Sequence, residues 1–170
     1  MPLTVRTRRA TARLSVIAAT LLTGAAVVPS SLDAPAGASA SLCQKVSTSV
    51  VSAALGVKAT KVATTINGSV TVCWYRVGAN THGAFVRTQT SDNSAGFTAD
   101  RKLAAKYGEN PKADAHFAPY PAFSTSIGSA SYGYTYSVTI LKKSTELGVG
   151  AAKTSLAKVE ALAKKVLAKI

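Results

Sequence analysis

KVATTINGSVTVCWYRV, residues 61–77, is the stretch that decides the fold. Two runs rich in Val, Thr, Ile, Tyr and Trp meet at Asn67-Gly68, a dipeptide that accepts the positive φ angles of a tight hairpin turn. The segment therefore predicts an antiparallel pair, 61–66 with 69–77. A third β-rich run at 83–90 follows a turn at 78–82 and extends the meander. Outside these runs the hydrophobic period changes. Upstream, Leu42, Val46, Val50 and Ala54 recur with Val51 and Leu55 alongside, a helical stripe over 41–55 that Gly56 closes. Downstream, Ser94 is placed to cap a helix at 95–107, with Phe97, Leu103, Ala104 and Tyr107 on its apolar side and Gly108 as its stop.

Pro111 and Pro119-Tyr120-Pro121 then interrupt the chain, so a loop is expected at 118–127. Strands are expected at 129–142 and 144–150, and a closing helix at 151–170. Helix, meander, helix, strands and helix in this order predict an α+β domain, an antiparallel sheet covered by N-terminal, middle and C-terminal helices.

The first forty residues carry an address. Arg6, Arg8, Arg9 and Arg13 precede an apolar run from Leu14 to Val28, and Ala38-Ser39-Ala40 supplies small residues at a cleavage point. This is the pattern of a secretory signal cut after Ala40, which leaves 41–170 as one secreted domain, extracellular or associated with the cell wall. The apolar run is shorter than the roughly 20 residues needed to span a bilayer, so a membrane-spanning anchor is not expected. Leu42 before Cys43 departs from the small residue that a lipid-anchored cysteine requires. Arg8-Arg9 leaves both the general and the twin-arginine export routes open. In an oxidising compartment the two cysteines, Cys43 and Cys73, are expected to form a structural disulfide that ties the first helix to the sheet.

Charge narrows the partners. The whole chain has a formal charge of +13, and removing Arg6, Arg8, Arg9, Arg13 and Asp33 with the leader leaves +10 on 41–170. Such a domain concentrates near polyanions, here anionic cell-wall polymers or lipid headgroups. Lysine predominates over arginine, which points away from specific nucleic-acid recognition and is equally the composition of a solubilising surface. In the last helix Leu156, Val159, Leu162, Ala163, Val166, Leu167 and Ile170 share an arc, with lysines opposite. Lys158, Lys165 and Lys169 are the candidate polyanion contacts. A docked helix with a solvated lysine face fits the same pattern, and Glu160 with Lys164 makes an i,i+4 pair.

Catalytic motifs fail on inspection. Ser155-Leu156-Ala157-Lys158 and Ser91-Asp92-Asn93 copy two motifs of penicillin-recognising serine enzymes, but in reversed order and in too short a chain. Asp92, Asp100, Glu109, Asp114, Glu146 and Glu160 form no close pair in sequence, and His82 and His116 with committed cysteines are too few for a closed zinc site. No cofactor or metal is expected. Tyr132, Tyr134 and Tyr136 share parity with Val138 and Ile140 and read as a core face, and Trp74 with Val70 and Val72 reads as core beneath a helix. A non-enzymatic binding or sensor-like module is the expectation. The alternative is a small secreted hydrolase with its site at 114–127, beside His116.

Cys43 opening a helix that ends Ala54-Leu55-Gly56, the pair Cys73-Trp74 in a strand, and Ile127-Gly128-Ser129-Ala130 before the long strands together resemble small exported sensor-like or lipoprotein domains of actinobacteria. The resemblance implies a PsbP-like α/β sandwich of unknown function, in which Cys43 and Cys73 are structural and no catalytic residue is carried over.

Overall fold

The computed structural model describes residues 42–78, 83–90, 94–129 and 133–170. The leader and cleavage point expected from the sequence lie outside these residues, as do His82, Ser91-Asp92-Asn93 and Tyr132.

Seven strands form one sheet: β1 (Ala59–Asn67), β2 (Val70–Val77), β3 (Gly83–Thr90), β4 (Lys112–Ala113), β5 (Ala122–Ser129), β6 (Gly133–Lys142) and β7 (Thr145–Ala152). Every neighbouring pair is antiparallel, in the order β1-β2-β3-β7-β6-β5-β4. The helices are α1 (Thr48–Leu55), preceded by a helical turn at 42–45, then α2 (Ser94–Lys106) and α3 (Leu156–Leu167). The chain thus meanders through β1 to β3, crosses by α2 to the far edge, and returns through β4 to β7 to pair β7 with β3. The expected α+β class, with an antiparallel sheet and flanking helices, is what the chain adopts.

The hairpin at the decisive stretch forms one residue later than its dipeptide suggests. Asn67 pairs with Val70, so the two-residue turn is Gly68-Ser69, with Gly68 at φ 55° where a side chain would be strained. A register shift between Lys61 and Ala63 adds a bulge to this edge strand, where Val62 is exposed.

Alternation then divides the sheet into two faces. Cys73, Tyr75, Val86, Val138, Leu147 and Val149 are fully buried on one of them, beneath Val51 and Leu55 of α1 and Val159, Leu162 and Val166 of α3. The disulfide Cys43–Cys73, with a Cα separation of 5.6 Å, ties the 42–45 turn to β2. Beside it the Tyr75 hydroxyl donates to the Val46 carbonyl at 2.6 Å. Burial pushes the Tyr75 pKa up to about 12, which keeps that donor protonated at any physiological pH. The last helix buries the arc read from its sequence, and Leu156, Leu167 and Ile170 pack at the margin.

On the opposite face α2 packs Phe97 and Ala104 against Phe123 and Leu141, with the Phe97 and Phe123 rings 5.2 Å apart. Three sequence expectations give way here. Trp74 is not core: Cys73 must face inward to reach Cys43, so parity turns Trp74 to the second face, 43 % exposed, with its ring tilted against Phe85 at 5.8 Å. The 118–127 segment is a loop only through Pro121, because Ala122–Ser129 is β5, held between β4 and β6. The closing helix begins at Leu156 rather than Ala151, since Ala151 pairs with Ala84 and with Tyr136 in β7. Of the tyrosine stripe, Tyr136 packs on the core while Tyr134 is largely exposed, and the two rings lie 5.9 Å apart. Among the described residues no helix is long and apolar enough to cross a membrane.

Candidate functional site

Among the described residues α2 is the helix that packs on the second face, and it leaves a cleft beside it. The cleft arises because β7 presents no side chain at Gly148, while Thr125, Ser137 and Thr139 of β5 and β6 present short ones. Its volume is about 330 Å³, within the range of small-molecule sites. Phe85, Leu103, Tyr107 and Phe123 supply apolar walls. The polar groups converge on one point.

At that point Glu146 of β7 is 3 % exposed, Arg87 of β3 stands beside it, and Asp100 reaches down from α2. Arg87 Nη1 lies 3.8 Å from Glu146 Oε1 and 4.0 Å from Asp100 Oδ2, and the Arg87 guanidinium also donates to Gln89 Oε1. Asp100 and Glu146 flank the same Arg87 Nη1, so the two carboxyl groups bear on each other's charge. Burial first, then the Asp100 charge and the hydrogen bond to Asp100, push the Glu146 pKa up to about 7, against the lowering effect of Arg87. Opposite them the Thr125 and Ser137 hydroxyls bond to each other at 2.7 Å. The arrangement offers an acidic pair, a guanidinium and two hydroxyls between apolar walls, all able to exchange hydrogen bonds with a hydroxylated ligand.

Neither carboxylate was marked by spacing, because 46 positions separate Asp100 from Glu146 and only the α2 crossover and the return of β7 bring them together. One local signal was present. Glu146 is the sole charge within Thr145–Ala152, a strand otherwise of small and apolar residues, and such a residue needs a partner when it is buried.

The histidine region differs from its sequence reading. Asp114 caps a 3-10 turn, Ala115–Phe117, by accepting from the His116 amide at 3.1 Å, and its side chain is buried while His116 is exposed. Glu160 of α3 does not turn to Lys164: its Oε2 lies 3.4 Å from His116 Nδ1, and the Lys164 ammonium sits 5.8 Å from the centre of the Phe117 ring. His116 lines an open cleft with Phe117, Tyr120, Lys142 and Lys164, a lining that includes no serine, threonine or cysteine.

The remaining sequence candidates are placed plainly. Cys43 and Cys73 are joined, and Lys158, Lys165 and Lys169 are exposed on a stripe flanking the buried arc of α3, with Lys158 lying beside Gly56 at the end of α1. Ser155 and Lys158 form the first turn of that helix, the Lys158 amide donating to the Ser155 carbonyl at 3.1 Å. No family model, no curated protein and no solved structure matches the chain, so the reading of its site rests on these residues.

Proposed function

We propose that the chain is an exported, non-enzymatic binding module of the bacterial cell envelope, of the sensor-like actinobacterial kind with a PsbP-like sandwich, and that its cleft over the second sheet face takes a saccharide. The observation that carries this reading is Glu146, a buried acid held by Asp100 and Arg87 on the floor of that cleft. Buried ionisable groups with specific partners in a concave site mark function more often than stability. Sugars present hydroxyls that such a floor can bond and C–H faces that Phe85 and Tyr107 can cover.

The test is a titration of isotope-labelled protein with glucose and with N-acetylglucosamine oligomers, followed by amide shifts. Shifts at Phe85, Arg87 and the 146–148 backbone are expected, with affinity weakened at least tenfold in Arg87→Ala. Shifts that gather elsewhere, or an Arg87→Ala titration identical to wild type, reject the saccharide reading.

A second reading is carried by a separate surface. Lys158, Lys165 and Lys169 recur at i, i+7 and i+11, so they fall within about 40° of one another along α3 and its closing turn. This stripe would hold the domain to anionic wall polymer or lipid headgroups.

A further inference from the structure

We propose that Asp114, His116 and Glu160 form a binding site for a divalent transition metal, with Zn²⁺ as the matching ion. The three donor atoms lie within 4.8 Å of one another and come from two separate elements, the 114–117 turn and α3.

The distances have a definite meaning. His116 Nδ1 is 3.1 Å from Asp114 Oδ1 and 3.4 Å from Glu160 Oε2. Around a tetrahedral zinc ion with bonds of about 2.0–2.1 Å, neighbouring donors stand about 3.3–3.4 Å apart, so these separations are close to the edges of a coordination tetrahedron. A single Nδ1 proton cannot lie along two carboxylate directions at once, whereas a metal uses the Nδ1 lone pair and both carboxylates together.

A second observation points the same way. Asp114 Oδ2 is buried and has no hydrogen-bond partner among the described residues, while the carboxylate's other oxygen already serves the His116 amide. The Oδ1 atom is the one 3.1 Å from His116 Nδ1, so a cation bound there would neutralise the buried carboxylate whose Oδ2 is left unpaired. Asp114 is also held in place, since its amide donates to the Ala122 carbonyl at 3.0 Å.

Donor chemistry selects the ion. One imidazole and two carboxylates suit zinc and its first-row neighbours, while magnesium and calcium prefer six or more oxygen donors. His116 is 65 % exposed along its side chain and lines the open cleft of about 380 Å³, so a fourth coordination position opens toward solvent and is filled by water. The bound ion would clamp the 115–117 turn onto α3.

Untagged protein stripped with chelator and titrated calorimetrically with ZnCl₂ is expected to bind one equivalent with a micromolar dissociation constant, and much more tightly than it binds Mg²⁺. His116→Ala, Asp114→Asn and Glu160→Gln should each weaken binding by about tenfold or more, and His82→Ala should not. Saturating zinc should also raise the melting temperature of the wild type by about 5 °C and leave that of His116→Ala unmoved. His116 is exposed, so its variant keeps the fold and decides the matter even if Asp114→Asn does not fold. Absence of saturable zinc binding at about 100 μM, equal binding of Mg²⁺, or unchanged affinity in His116→Ala overturns the proposal.

Discussion

Glu146 shows how one side chain joins stability to the site. Its folded-state pKa is raised to about 7 from an ordinary 4.5, chiefly by burial, so between these two values the native chain holds a proton that the unfolded chain has released. Stability then falls as pH rises through that window, because the unfolded state binds fewer protons. The full contribution is present below about pH 4.5 and is gone above about pH 7, and the titration is shared with the neighbouring Asp100. Glu146→Gln keeps a donor toward Asp100 and removes the titration. Urea denaturation from pH 4.5 to 8 is therefore expected to show the wild type weakening relative to Glu146→Gln across the interval, and parallel curves would mean that Glu146 is not the proton holder. The same residue explains why alternation matters on β7, where a shift of one position would put Glu146 among the valines of the other face.

Among the elements, the disulfide joins a short helical turn to a central strand across 30 positions. Replacing both cysteines by serine should cost about 3–4 kcal/mol by the loop-closure argument, measurable as a lowered denaturation midpoint. A loss below about 1 kcal/mol would show that α1, the Tyr75 hydroxyl bond and the surrounding apolar packing already hold the turn. The elements that could be read from sequence are those with a local cause. The β1-β2 hairpin follows from Asn67-Gly68 and period two, β3 from its own alternation, and α1 from an apolar stripe ended by Gly56, which adopts φ 71°. The misread elements have distant causes. Ala122–Ser129 is a run of small and hydroxyl residues with little strand signal, and it is a strand because Phe123 meets Phe97 and because β6 pairs along its whole length. Ala151-Ala152 has helical propensity, and pairing with β3 and β6 overrides it. Both acidic clusters are of this second kind, since Asp100 meets Glu146, and Asp114 meets Glu160, only after the sheet has closed.

At the scale of the whole molecule, two sides of the sheet carry different chemistry. The cleft itself is lined by Asp100, Glu109 and Glu146 with Arg87, although the α2 helix beside it also exposes Arg101, Lys102 and Lys106, while the side covered by α1 and α3 presents the Lys158, Lys165 and Lys169 stripe of a strongly basic domain. Anionic surfaces should therefore meet the domain through α3 and leave the cleft open to solvent, which allows surface attachment and ligand binding at once. Long-range attraction between exposed charges is screened within about 10 Å at 0.1 M salt, so the attachment should be steeply salt-dependent. Vesicles containing phosphatidylglycerol are expected to sediment the wild type at low ionic strength and to release it at about 0.5 M salt. Replacing Lys158, Lys165 and Lys169 together by glutamine should weaken sedimentation severalfold with little change in melting temperature, because all three side chains are exposed and glutamine keeps most of their aliphatic length. Arg87→Ala, on the cleft side, should sediment like wild type. If the wild type stays in solution at low salt, or if Arg87→Ala weakens attachment as much as the triple glutamine variant does, the lysine stripe is a solvated helix face and the basic charge has no part in binding.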